Sequence, residues 1–165
     1  MSRYRPPQPK ASPYITKDGY AVLQQEEKTL WQRRKLVTKA VTAAAAEGDR
    51  SENAEYIYRK KELREIDRRI RYLQKRLPDL KIVDTIPDNP RQVFFGAWVT
   101  LQDKQDDEHT YRIVGPDEFD SKEEYISMDS PMAKALMGKR IDDEIELRIP
   151  SGEVLLVILN IEYQE

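Results

Sequence analysis

The chain of 165 residues has no cysteine and a single histidine, His109. Without cysteine there is neither a disulfide nor a thiol nucleophile, which fits a reducing compartment such as the cytoplasm. One imidazole builds neither a His-rich metal site nor a catalytic triad, so His109 reads as a surface or strand histidine. No run of eighteen apolar residues exists, so no membrane span is expected. The N-terminal stretch "MSRYRPPQPKASPY" lacks the apolar core of a secretory signal. The expected address is the cytoplasm, with no membrane partner.

Charge, by contrast, is plentiful and unevenly placed. Charged residues make up 35% of the chain and the net charge is −2. Residues 1–78 carry 19 Lys and Arg against 10 Asp and Glu, a balance of +9, whereas residues 79–165 carry 9 against 20, a balance of −11. Two stretches of opposite sign read as two domains with different partners, the positive one suited to nucleic acid or an acidic channel. The plainer alternative is that each has a solvated face of its own sign.

Residues 1–14 hold four prolines and several basic groups, and read as a disordered arm with almost nothing to bury. Thr16 then stands as a plausible N-cap before a long helix running from Lys17 to Glu47. Steps of three and four from Tyr20 pass through Leu23, Glu27, Leu30, Arg34, Val37, Val41 and Ala44, a heptad seam with two polar interruptions. Gly48 ends this helix. A second seam, Tyr56, Arg59, Leu63, Ile66, Ile70, Leu73 and Leu77, begins near Ser51 or Glu52 and stops at Pro78. Two seams joined by a short Gly-containing turn predict an antiparallel coiled-coil hairpin over 15–78, roughly 45 Å long at 1.5 Å per residue.

The turn itself, residues 47–55, carries four carboxylates and Arg50, and no apolar residue before Ala54. Two readings stay open. Asp49 with Glu52 three residues on matches a capping box, and carboxylates suit the first turn of a helix. Alternatively the pair presents oxygen donors to a metal ion. Two carboxylates are too few for a closed Mg²⁺ site, so the pair would complete one that another macromolecule half supplies, in phosphoryl chemistry that uses two metals. Behind the turn, Arg59 to Arg76 holds nine basic and three acidic residues. Arg59, Lys60, Lys61 and Arg64 lie nearest the turn and could hold an RNA backbone. The alternative there is an ordinary solvated face with pairs such as Glu62 with Arg69.

After Pro78 the pattern changes. Asp79 to Arg91 is a connecting strand or linker. "QVFFGAWVTL" reads as a strand with a glycine inside it, followed by strands at "HTYRIVG" and "EEYISM". Ser130-Pro131 opens a short helix from Met132 to Met137. "DEIELRIP" and "EVLLVILNIEY" are two further strands joined through Pro150-Ser151-Gly152. Five strands and one helix make 79–165 a small α+β domain.

"GDRSENAEYIYRKKELREIDRRIRYL" closely resembles the tip and second helix of the bacterial transcript-cleavage factors, the Gre family. "ITKDGYAVLQQE", "KIVD", "VFFGAWV", "RIVGPDE", "YISMDSPMAKALMGK" and the closing "PSGE" with "IEY" resemble other family segments, in order, from Ile15 to Tyr163. "GDRSENA", "VFFGAWV" and "SPMAKAL" are similar to its GreB-type members. The resemblance implies an α+β chain: a coiled-coil hairpin followed by an FKBP-like domain. It also implies a non-enzymatic elongation factor that enters the secondary channel of backtracked bacterial RNA polymerase and stimulates cleavage of the nascent RNA 3′ end by the polymerase itself. Asp49 and Glu52 would be the catalytic acids, holding a Mg²⁺ ion jointly with the polymerase and only in the complex. Arg50, Arg59, Lys60, Lys61 and Arg64 would face RNA, and Asp129-Ser130-Pro131 would be the polymerase-docking loop. The free protein is expected to be a monomer. Two rivals are a channel-binding regulator without cleavage activity and, on fold alone, a peptidyl-prolyl isomerase module, which would need an apolar proline pocket.

Overall fold

Both helical seams close on each other. The computed structural model describes residues 9–48 and 53–164. Helix α1 spans Lys17–Ala46 and helix α2 Ala54–Arg76, the latter continued by a single 3-10 turn at Leu77–Asp79. Leu23, Val37 and Ala44 of α1 and Ile66, Ile70, Leu73 and Leu77 of the second strip are buried. The remaining seam positions are half-buried, Glu27 and Arg34 included. Val37, Ile66 and Ile70 form one cluster, flanked by Leu30, Val41 and Leu63. Burial of each such side chain stabilises the hairpin by about 1.5–3 kcal/mol.

The polar interruptions are answered across the hairpin. Arg34 donates from Nε to Asp67 at 2.6 Å, Arg33 donates from Nη2 to Glu62 at 2.6 Å, and Arg69 donates from Nε to Glu26 at 2.8 Å. These pairs set the antiparallel register. They also correct the expected pairing of Glu62 with Arg69, since each finds its cross-helix partner on α1 instead. A cross-helix pair ties two elements together, which a pair along one helix does not.

The chain divides into two compact units, one of Asp18–Leu80 and the other of the residues up to Lys17 together with those from Lys81 onward. In the second unit the segment before the hairpin is an integral part. Strand β1 (Tyr14–Ile15) pairs in parallel with β2 (Lys81–Ile82), and Lys81 donates its N–H to the Pro13 carbonyl at 2.7 Å. Ile15 is fully buried. The expected disordered arm therefore stops short of residue 14: Ser12 to Tyr14 are fastened, because β2 offers unpaired backbone groups that β1 satisfies.

Five strands form the main sheet in the order β5-β4-β3-β7-β6: β3 (Trp98–Gln102), β4 (Glu108–Val114), β5 (Tyr125–Ser127), β6 (Glu144–Ile149) and β7 (Gly152–Glu162). All neighbours are antiparallel except β4 and β5. Strand β3 alternates, with Val99 and Leu101 buried between half-buried neighbours. Helix α3 (Pro131–Leu136) covers that face through Ala133 and Leu136. A register shift in β7 opposite Thr100 and Leu101 makes Leu159 an extra residue, so Ile158 and Ile161, three apart, both reach the core. The strand expected over "QVFFGAWVTL" starts only at Trp98. Gly96, with φ of +86°, lies in a turn before it, a conformation that disfavours any side chain.

Candidate functional site

Two regions carry the residues singled out by sequence. The first is the end of the hairpin. Asp49, Arg50, Ser51 and Glu52 lie outside the described residues, but their flanks are defined. Gly48 has φ of +145°, and Asn53 is the N-cap of α2, its Oδ1 accepting from the Tyr56 N–H at 3.1 Å. Its Nδ2 donates to the Ala44 carbonyl at 2.7 Å. One amide thus starts α2 and ties it to the last turn of α1. The capping-box reading of Asp49 and Glu52 is corrected: α2 begins at Ala54, so the cap belongs to Asn53. Asn is among the strongest capping residues, so the signal was present but overshadowed by the denser carboxylates before it.

Behind this end the predicted cations differ in kind. Arg59 donates to Glu55 at 2.9 Å and to Glu62 at 3.0 Å. The hydrogen bond it donates to Glu55, then that to Glu62, raises its pKa further and ties its guanidinium to the protein's own acids. Arg59 is thereby a structural residue more than a free cation. Glu62 in turn is held below the ordinary carboxylate range, chiefly by the hydrogen bond from Arg33. Lys60, Lys61 and Arg64 are exposed. Lys60 sits 5.4 Å from the centre of the Tyr56 ring.

Sequence reasoning missed two further exposed cations, Arg68 and Arg71. With Arg64 they recur at steps of four and three, which places all three on one helix face. With Trp31, Arg34, Asp67, Ile70 and Gln74 they line an open groove of about 520 Å³ on the hairpin. Among the described residues, no cluster of three or more His, Cys, Asp or Glu side chains could hold a metal ion.

The second region is the turn from β5 into α3. Ser130 caps α3 by accepting from the Ala133 N–H at 3.2 Å, with Pro131 in the first turn. Asp129 donates its N–H to Ser127 Oγ at 3.1 Å. Its carboxylate is engaged by a residue distant in sequence: Ser12 donates from its backbone N to Oδ2 at 2.9 Å and from Oγ to Oδ1 at 2.5 Å. Asp129, Ser130 and Pro131 are thus brought together on one ordered turn, and Ser12 joins them without any local signal in its own neighbourhood.

Elsewhere in this unit, His109 lies exposed on β4, its Nε2 2.9 Å from Asp103 Oδ2, and this contact depresses the Asp103 pKa. Both residues line, with Met132, Leu147 and others, a cavity of about 220 Å³. Its lining is mainly apolar, and its volume is below the roughly 300 Å³ at which small-molecule clefts begin.

A charged helical hairpin followed by a small α+β sheet unit with a half-buried capped turn defines the class of two-unit chain to which this protein belongs. Comparison with known proteins resolves the class. Residues 13–82 match the family model described as "Transcription elongation factor, N-terminal", and residues 88–163 that described as "Transcription elongation factor, GreA/GreB, C-term". The chain is 56% identical to transcription elongation factor GreB of Pseudomonas aeruginosa, across 99% of this chain and 98% of that one. It is 57% identical to the GreB of Pasteurella multocida, across 93% and 98%. A fainter likeness is to GreA factor homolog 1 of Thermus thermophilus, 26% identical over 90% and 97% of the two chains with a TM-score of 0.41. The chain belongs to the GreA/GreB family of transcription elongation factors. Among the described residues, no helix is long and apolar enough to cross a membrane.

Proposed function

We propose that this protein binds backtracked bacterial RNA polymerase through its secondary channel and stimulates the polymerase's own cleavage of the nascent RNA 3′ end. The observation that carries this reading is the closed hairpin end. The bond from Asn53 to the Ala44 carbonyl ties both helices just behind the segment containing Asp49 and Glu52. Flanks tied in this way suit delivery of the two acids between them from one place.

Asp49 and Glu52 supply hard oxygen donors, which suit Mg²⁺, and they are too few to close a site by themselves. They would hold the ion jointly with the polymerase, where it polarises a phosphate and lowers the pKa of bound water. The chain's own share is to bind and orient. Lys60, Lys61 and Arg64 offer exposed positive charge for the extruded RNA backbone, and the Asp129-Ser130-Pro131 turn docks the sheet unit. Arg50 belongs to the same RNA-facing set as an expectation from sequence. This division of labour makes the factor an activator whose reaction centre lies in its partner.

The test is cleavage of labelled RNA in halted, backtracked polymerase complexes. Asp49→Ala with Glu52→Ala should leave polymerase binding within about twofold and reduce stimulated cleavage by at least about tenfold, of the order lost when a metal-orienting group is removed. Cleavage near the unsubstituted rate would refute the role of the pair.

A further inference from the structure

We infer that Ser12 is a positioning residue for polymerase docking, orienting the Asp129 carboxylate through a two-point clamp. The inference rests on the reading above that the Asp129 turn docks. It adds that the N-terminal arm sets the docking geometry.

Asp129 has two side-chain torsions, and on a half-buried turn without a partner each would sample several wells. Ser12 removes that freedom by donating its backbone N–H to Oδ2 and its hydroxyl to Oδ1. Two contacts on two different oxygens fix both the direction and the plane of the carboxylate. An ionised carboxylate has about four acceptor positions, of which Ser12 takes two. The others remain for donors on a partner, so the clamp aims the group without consuming it. Such preorganisation raises affinity because the ordering is done before binding.

Ser12 itself is held from behind. Pro13, next in the chain, has its backbone φ locked near −65°, and a residue before proline is restricted to extended conformations. The Pro13 carbonyl accepts from Lys81, and Tyr14 and Ile15 are strand residues. Immediately after them, Thr16 donates its N–H to Glu118 Oε2 at 2.7 Å and its hydroxyl to Oε1 at 2.5 Å. The backbone passes so close to β4's end that a Cβ on Gly115 would lie 2.0 Å from the Tyr14 carbonyl oxygen. The segment is thus seated at three successive points, and Ser12 reaches Asp129 from a rigid base.

The experiment measures affinity for purified bacterial core polymerase by competition with fluorescently labelled unsubstituted protein. It uses full-length Ser12→Ala, Ser12→Thr, Asp129→Ala and the double variant Ser12→Ala with Asp129→Ala. Ser12→Ala should weaken binding about three- to tenfold, the cost of ordering the freed carboxylate at the moment of binding, with the protein still folded by circular dichroism. Ser12→Thr keeps hydroxyl and N–H and should bind within about twofold of the unsubstituted protein. The double variant should be no weaker than Asp129→Ala, because Ser12 acts only through that carboxylate. Ser12→Ala binding normally while Asp129→Ala binds weakly would overturn the clamp alone. Tighter binding by Ser12→Ala would also overturn it, showing the arm to be a cover. Normal binding by Asp129→Ala would overturn the docking reading and the clamp with it.

Discussion

Glu118 is the carboxylate on which the N-terminal strand hangs, and its replacement gives the sharpest test of the fold. Its side chain is buried, with the residue only 5% exposed. It accepts three hydrogen bonds: two at Oε2, from the Thr16 N–H at 2.7 Å and the Gly115 N–H at 3.2 Å, and one at Oε1, from the Thr16 hydroxyl. Hydrogen bonds to an ionised group contribute about 1.5–3 kcal/mol each. Glu118→Ala removes all three, but it also removes the carboxylate's own desolvation penalty, so the net loss falls at about 3 kcal/mol. For a unit of this size that lowers its unfolding midpoint by more than about 10 °C. Glu118→Gln should behave differently. With its carbonyl oxygen at the Oε2 position, it keeps both backbone N–H bonds, and its amide can donate to the Thr16 hydroxyl, which has lone pairs to accept it. The expected cost is about 1 kcal/mol. Thermal unfolding followed by circular dichroism gives the midpoints, and amide exchange over residues 12–17 reports whether the strand has left. Equal losses for the two substitutions would refute the assignment of the backbone bonds to Oε2, and losses below about 1 kcal/mol for both would refute Glu118 as the anchor of the strand.

Four further outcomes are expected. Gly115→Ala would place its Cβ against the Tyr14 carbonyl, so residues 12–15 should lose amide protection while the hairpin keeps its own. Asn53→Ala removes the α2 cap and the tie to Ala44, costing about 1–2 kcal/mol of hairpin stability in a denaturant titration. Glu62 titrates lower in the folded protein than its ordinary value of 4.5, so the stability it contributes is complete above about that pH and is lost as the pH falls through the depressed value. Arg33→Ala, which removes the chief cause, should bring Glu62 back toward its ordinary titration in a carbon-13 NMR measurement and shrink that acid-side loss. Replacing Lys60, Lys61 and Arg64 together by Ser should reduce the salt dependence of RNA crosslinking in the polymerase complex by a slope of about two, roughly 0.7 per single-strand phosphate contact removed, and an unchanged slope would place the RNA elsewhere.

Much of this protein was legible because the signals concerned are local. Heptad spacing depends only on residues three and four apart, so the seam from Tyr20 to Ala44 and its partner from Tyr56 to Leu77 could be read directly, including the polar positions Glu27 and Arg34. The Ser130-Pro131 start of α3 is equally local, since a cap involves residues three apart. Family segments pointed to one turn and one loop as candidate sites, and gave no sign of how either is held.

What escaped were the partnerships that close over long stretches of chain. Ser12 finds Asp129 117 residues away, and Thr16 finds Glu118 102 residues away. Neither residue type nor spacing announces such a contact, because it exists only once β1 has paired with β2 and carried the arm across the sheet unit. The bulge at Leu159 escaped for a related reason: an alternating pattern cannot show where one residue is skipped until the neighbouring strand supplies the register. The choice of Arg33 on α1 over Arg69 on its own helix as Glu62's partner likewise waited on two helices lying side by side. Periodicity and capping are properties of a few consecutive residues and survive in any context, whereas a hydrogen bond between distant residues is decided by the three-dimensional path that brings their atoms within about 3 Å.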